Sequence, residues 1–268
     1  MTNLTHTVHT GASALVVSLP HVGTHIPAPL RAAFVPRALE LEDTDWHLQR
    51  LYDFAASMDV TVIAAHVSRY VIDLNRPPDD APMYPGAANT ELCPTRFFSG
   101  ESLYRDSCAP SKTEIVARRE MYWQPYHDAV RAALDRARAA HGYALLWDGH
   151  SIRSEIPWLF EGKLPDLNVG TASEKSCDPK LRSAIVSQLH AQQSFTVAVD
   201  ARFKGGYITR HHGQPERGVH AIQMEMCQSL YMQEHSPFTY DEARAALVQP
   251  LLKDLLTTCL DWTPSART

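Results

Sequence analysis

Short runs of apolar residues alternate along the chain with longer segments in which apolar side chains recur every three or four positions. The short runs have the length and composition of β-strands; they are 14–19, 60–65, 70–74, 143–147, 195–200 and 219–226. The longer segments have the period of amphipathic helices; they are 45–58, roughly 112–141, 178–192 and 240–260. This alternation predicts one α/β domain, residues 1–268, with a mixed, mostly parallel central sheet flanked by helices.

Two long segments, 77–111 and 151–176, follow neither pattern. Irregular loops of this length are uncommon in compact domains unless they bind ligands or cover a site. Open α/β sheets bind ligands beyond the carboxyl ends of their strands, and polar residues follow several of the predicted strands directly. We therefore expect an active site at that edge, over which segment 77–111 could close. Aromatic residues of this segment could instead only hold it against the domain; they are Tyr84, Phe97, Phe98 and Tyr104.

Composition argues against several classes of function. The net charge is −5 and no long basic stripe is present, so a nucleic acid or an anionic membrane is not an expected partner. No apolar run approaches the roughly 20 residues that span a bilayer, and the N-terminal stretch lacks the basic region of a signal peptide. The five cysteines are scattered without a CxxC pair, so neither a disulfide framework nor a cysteine zinc site is expected, which fits a reducing cytoplasm.

Fourteen histidines are a high number for 268 residues and point to metal or acid–base chemistry. His21 directly follows the first predicted strand, Asp45 stands near a predicted helix start, and His150 follows the strand 143–147. Two histidines and one carboxylate are a ligand set of catalytic zinc sites, which keep a position open for water. The alternatives are loop histidines and a helix-capping carboxylate, and Asp43 is the other candidate for the acidic ligand.

Other polar residues would complete such a site. Asp148 or Ser151 could orient an imidazole or a bound water molecule. The pair Asn75–Arg76 ends a predicted strand and suits the capture of a substrate carboxylate, with a surface salt bridge as the alternative. Glu225 shares a strand face with Gln223, opposite the core-facing methionines. A buried glutamate is costly unless paired, so Glu225 is either a general base or part of a structural ion pair.

Five blocks of the sequence together resemble the N-formylglutamate amidohydrolase, or deformylase, family. The blocks are "SLPHVGTHIP", "DTDWHLQRLYDFA", "RYVIDLNRPP", "WDGHSIRSEIPWLFEGKLPDLNVGT" and "GGYITRHHG…GVHAIQMEMCQSLYM", and they cover nearly the whole chain in order. The resemblance implies an amidohydrolase that cleaves a linear amide, giving glutamate and formate in the last step of one histidine-degradation route. It also implies a fold related to zinc carboxypeptidases and aspartoacylase-like deacylases.

Those related enzymes bind zinc through two histidines and a carboxylate, use a strand-borne glutamate as base, and hold the substrate carboxylate with an Asn–Arg pair. The resemblance therefore implies one divalent ion, zinc before iron or cobalt, held by His21, Asp45 and His150. Carboxypeptidases place their acidic ligand three residues after the first histidine, where this chain has Thr24. A more distant acid must replace it, and Asp45 is preferred to Asp43.

The remaining roles follow from the same resemblance. Glu225 would move the proton, while Asn75 and Arg76 would hold a carboxylate of a small N-acyl amino acid. Three further residues are expected around the substrate: Arg153 or His212 as the donor to the oxyanion, and Arg210 as the cation for the second carboxylate. Two alternatives stay open: a hydrolase of the same fold that cuts another N-acyl amino acid or a peptide C-terminus, and a non-catalytic metal- or ligand-binding protein.

Overall fold

The computed structural model of the chain describes residues 5–83 and 90–265. A mixed sheet of seven strands in the order β1-β3-β2-β4-β7-β5-β6 forms the centre of this described part. The strands are β1 (His6–His9), β2 (Leu15–Leu19), β3 (Thr61–Ala65), β4 (Ala144–Ile152), β5 (Leu167–Gly170), β6 (Val197–Val199) and β7 (Val219–Cys227). The pairs β2–β3, β2–β4, β4–β7 and β5–β6 are parallel, whereas β1–β3 and β5–β7 are antiparallel. The predicted mixed, mostly parallel sheet is confirmed.

Helices cover both faces of the sheet. The α-helices are α1 (Ala28–Arg31), α2 (Leu48–Leu51), α3 (Lys112–Arg118), α4 (Gln124–His141), α5 (Pro179–Ala191), α6 (Tyr207–His212) and α7 (Glu242–Asp261), and a π-helical turn, Arg119–Trp123, joins α3 to α4. Alternate strand residues point to opposite faces, so Leu15 and Val17 of β2 pack with α2, α5 and α7, whereas Val16 packs with α4. No helix of the described residues has the length and apolar character needed to cross a membrane.

The prediction and the structure differ in three respects. Residues 70–74 were predicted as a strand but form a buried turn, in which Val71 N donates to the Ser68 carbonyl. An apolar run indicates that a segment is buried, and a loop packed in the core can be buried as completely as a strand. The segment 45–58 is not one helix, because His47 is left-handed (φ 59°) and α2 begins only after it. The short strands β1 and β5 were not predicted.

The fourth difference creates the site. The strand predicted to end at Trp147 continues to Ile152, because β7 pairs with β4 along its whole length. On the other side, β2 pairs with β4 only as far as Asp148. Gly149 lies against the end of β2, and a Cβ at this position would approach Leu19 Cδ2 to 2.8 Å. The extended end of β4 therefore borders a notch beyond β2, and His150 lies in it.

Candidate active site

Three side chains with metal-binding groups meet in this notch. His21, Asp45 and His150 are buried, and one ligand atom of each lies within 4.8 Å of the others. Asp45 Oδ2 is 3.8 Å from His21 Nδ1 and 3.3 Å from His150 Nδ1. The other carboxylate oxygen, Asp45 Oδ1, has no hydrogen-bond partner among the described residues. Two imidazoles around a buried carboxylate with an unsatisfied oxygen fit a divalent cation.

Neighbouring charges orient His21 for this task. Its Nε2 lies 2.7 Å from Asp73 Oδ1, and Arg69 donates to the other oxygen of Asp73 at 2.8 Å. Burial and the charge of Arg69 lower the pKa of His21. Burial opposes charge on Asp73 as well, but His21, Arg76 and Arg69 hold the pKa of Asp73 well below its ordinary value. A neutral His21 donates through Nε2 to ionised Asp73, which leaves the lone pair of Nδ1 for a metal.

His150 is held from its far side in a similar way. Its Nε2 lies 3.2 Å from Asp148 Oδ1 and 3.0 Å from Asn75 Nδ2. Burial disfavours a charged imidazole, but Asp148 and Asp45 raise the pKa of His150 well above its ordinary value. A metal ion would displace the extra proton of this ring. Ser151 contributes through its backbone, since its N–H donates to Asp45 Oδ2 at 3.2 Å.

Asp43 has a different environment from Asp45. Its Oδ2 accepts hydrogen bonds from Tyr70 Oη at 2.8 Å and from the backbone N–H of Phe98 at 2.9 Å. Its Oδ1 accepts from Arg153 Nη2 at 3.1 Å. Both oxygens of Asp43 therefore tie loops together, and neither aspartate caps a helix, because α2 starts at Leu48. Asp45 is therefore the carboxylate of the cluster. Arg153 forms an ion pair with Asp43.

A cleft of about 750 Å³, partly open to solvent, lies over the cluster. Glu225 of β7 lines it beside His150, its parallel neighbour in the sheet. Burial raises the pKa of Glu225 to about 8, against the opposing charge of His150. Gln223 Nε2 donates to Glu225 Oε2 at 3.3 Å, and no lysine or arginine of the described residues forms a salt bridge with Glu225. The structural ion pair, the alternative for Glu225, is therefore not present in this part of the chain.

Three arginines line the cleft: Arg69, Arg76 and Arg202. Arg76 was expected from the sequence, whereas Arg69 and Arg202 were not. Arg202 could have been found, because it follows the predicted strand 195–200 in the glycine-containing stretch "DARFKGG". No local signal distinguished Arg69, whose guanidinium lies under the ring of Phe98 at 4.6 Å.

Besides Arg153, two other residues expected in the site lie elsewhere. Arg210 borders a separate surface cavity and donates through Nε to the Gly205 carbonyl at 2.7 Å. His212, the last residue of α6, is buried with its Nε2 3.4 Å from Nδ1 of His127 in α4. Neither lines the cleft over the metal-binding cluster.

The described aromatic residues of the segment 77–111 occupy two kinds of position. Phe98 lines the cleft, whereas Phe97 and Tyr104 are buried in the core beside α4. Tyr84 lies outside the described residues. The segment is therefore anchored by two aromatic side chains and contributes a third to the wall of the cleft.

The sequence matches one family model, described as N-formylglutamate amidohydrolase, over residues 13–232. The N-formylglutamate deformylase of Pseudomonas putida is 48% identical over 254 residues, which is 95% of each chain. The N-formylglutamate deformylase of Pseudomonas aeruginosa is 46% identical over 252 residues, or 94% of each chain.

Solved structures agree with these matches. The N-formylglutamate amidohydrolase of Ralstonia eutropha JMP134 superposes with a TM-score of 0.74 and 26% identity over 96% of both chains. A gene product of Agrobacterium tumefaciens, 18% identical over 95% of this chain and 96% of its own, shares the fold with a TM-score of 0.69. The relation to zinc carboxypeptidases stays a prediction. The match to the family model and the identity to the two deformylases show that the chain belongs to the N-formylglutamate amidohydrolase family.

Proposed function

We propose that this protein hydrolyses N-formyl-L-glutamate to L-glutamate and formate, as the last step of a histidine-degradation route, with one divalent metal ion, zinc before iron or cobalt. The observation that carries the proposal is the buried cluster of His21, Asp45 and His150 beside Glu225, on the floor of a cleft lined by arginines. The names of the relatives support the same substrate.

A divalent ion held by the cluster would be a Lewis acid, which makes water easier to deprotonate and polarises a carbonyl group. Glu225 would take the proton of the attacking water and deliver it to the leaving amine. The pKa of Glu225, raised to about 8 by burial, suits a group that exchanges protons near neutral pH. Asp73 and Asp148 would keep the two imidazoles in their binding orientation.

The arginines would bind the negative charges of the substrate. Arg76 is half-buried and held rigidly, because its Nε and Nη2 donate to Thr90 and its Nη1 donates to the Asn75 carbonyl at 2.9 Å. We assign to it the carboxylate next to the scissile amide. Asn75 would position Arg76, because its side-chain oxygen accepts from Ile208 N at 2.8 Å and its backbone carbonyl accepts from Arg76 Nη1.

The negative charge that develops on the carbonyl oxygen needs a donor close to the cluster. Neither Arg153 nor His212, the donors expected from the sequence, lines the cleft. Arg69 lines the cleft, and its Nη1 lies 3.6 Å from Asp45 Oδ1. We therefore assign the role of oxyanion donor to Arg69.

Formate release from N-formyl-L-glutamate tests the proposal, with the protein assayed as purified, after chelation, and after zinc, iron(II) or cobalt is restored. Activity should disappear on chelation and return with one ion per chain. Metal-loaded protein that releases no formate would refute the assignment. Turnover of N-acetyl- or peptidyl-glutamate would then identify another hydrolase of this fold, and a retained ion without any turnover would identify a binding protein.

A further inference from the structure

The three arginines of the cleft differ in how their charge is balanced. Arg69 is buried and forms salt bridges with Asp73 at 2.8 Å and with Asp45 at 3.6 Å. Arg76 and Arg202 form no salt bridge with the acidic residues that the structure describes. Arg76 donates only to uncharged oxygens, and the guanidinium carbon of Arg202 lies 6.0 Å from the ring of Phe160. Among the described residues, the cleft therefore offers two cations that are not in salt-bridge contact with a carboxylate, as many as a dicarboxylate requires.

The two cations lie at different depths. Arg76 is half-buried and follows Asn75, whose amide nitrogen is 3.0 Å from the candidate ligand His150. Arg202 is exposed, on the loop 200–206 at the rim of the cleft. In an N-formylglutamate the main-chain carboxylate is two bonds from the scissile nitrogen, and the side-chain carboxylate is four bonds away. The deeper cation therefore matches the main-chain carboxylate, and the cation at the rim matches the side-chain carboxylate.

We propose that Arg202 is the specificity-determining residue of this enzyme, and that it binds the side-chain carboxylate of an N-formyl dicarboxylic amino acid. The inference rests on the proposed function and extends it, because it assigns amino-acid selectivity to the loop 200–206. It also replaces Arg210, the cation expected from the sequence, with a residue that lines the cleft.

The loop that carries Arg202 is fixed at both ends. At its start, the Asp200 carboxylate accepts from Thr171 N at 2.7 Å, from Thr171 Oγ1 at 2.6 Å and from Arg182 Nη2 at 3.3 Å. At its end, Gly206 N donates to Gln223 Oε1 at 2.7 Å. A Cβ at Gly206 would lie 2.2 Å from the side chain of Asn75, so the loop packs directly on the site. A cation on a preformed wall binds without the cost of ordering a loop.

The test compares kcat/KM for N-formyl-L-glutamate and N-formyl-L-glutamine, which have the same shape and differ in the charge of the side chain. Arg202→Met should lower kcat/KM for the glutamate substrate about 10- to 100-fold, the worth of one charge-assisted hydrogen bond, with little change for the glutamine substrate. Arg76→Met should lower kcat/KM for both substrates by the same factor. Lys204→Met is the matched control, since it removes one charge from the same loop outside the cleft and should change neither value.

The outcomes separate the inference from the function on which it rests. Equal losses on both substrates in Arg202→Met, or no loss on either, would overturn the assignment of Arg202 while leaving the hydrolase intact. A changed preference in Arg76→Met, with an unchanged one in Arg202→Met, would mean that the two arginines exchange roles and would also overturn it. Metal-loaded wild-type protein that releases formate from neither substrate would overturn the proposed function itself.

Discussion

A pair of buried histidines outside the lining of the cleft should make the stability of this protein depend on pH. His127 of α4 stacks on Trp123, with ring centroids 3.8 Å apart, and its Nε2 donates to the Leu74 carbonyl at 2.8 Å. Its Nδ1 is then an acceptor, 3.4 Å from Nε2 of His212. A proton on Nδ1 of His127 would place its N–H group opposite the N–H group of His212, so that two donors would face each other without an acceptor. Burial lowers the pKa of His127 to about 3 and that of His212 to about 2.

The sign of the effect follows from the direction of these shifts. In the unfolded chain both histidines titrate near the ordinary value of about 6.5. Below that pH the unfolded state binds protons that the folded state does not, so the free energy of unfolding falls as the pH falls from about 6.5 toward about 3. Each histidine contributes about 1.4 kcal/mol per pH unit within this window. Between pH 7.5 and pH 5.0, His127 alone should therefore cost about 2 kcal/mol.

Urea denaturation followed by tryptophan fluorescence at these two pH values measures the effect, with chelator present throughout so that metal release does not contribute. His127→Gln replaces the titrating ring with an amide that can still donate to Leu74. The loss of stability between the two pH values should be about 2 kcal/mol smaller in the variant than in the wild type, whatever its absolute stability. His9→Gln, at an exposed position, is the control. The reasoning is wrong if His127→Gln keeps the full pH dependence of the wild type.

Two further predictions concern the site itself. Glu225→Gln should keep one metal ion per chain while kcat falls about 10²- to 10⁴-fold, the usual contribution of a general base; metal analysis beside the formate assay checks this, and a variant with full activity would exclude Glu225 as the base. Asp45→Asn should lose metal at a chelator concentration that the wild type withstands, whereas Asp43→Asn should keep its metal and lose thermal stability, because only Asp43 joins Tyr70 and Phe98. Equal metal loss in the two variants would contradict the assignment of Asp45.

The sequence by itself determined the class of the fold and indicated several residues of the candidate site. Four of the six predicted strands match observed ones closely, because alternate burial on two faces of a sheet leaves a local pattern in the chain. The candidate ligands His21 and His150 and the candidate base Glu225 were found for the same reason. They lie at the end of a strand or within one, where a buried polar residue interrupts a run of apolar residues.

Only the tertiary structure decided which of the other polar residues reach the cleft. The length of β4 depends on β7, a partner about 75 residues away in the chain, so no local pattern could place its end. The choice between Asp43 and Asp45 depends on Tyr70, Phe98 and Arg153, which occupy one carboxylate and leave an oxygen of the other unsatisfied.

The same holds for the arginines. By composition Arg153, Arg202 and Arg210 are equivalent cations, and the sequence analysis chose Arg210 for the second carboxylate and did not single out Arg202. In the folded chain Arg153 is paired with Asp43, Arg210 faces another cavity, and Arg202 lines the cleft. Local sequence encodes which side chains are charged and which segments are buried. Which charge lacks a counterion next to the substrate is decided by contacts between residues distant in the chain, and these form only on folding.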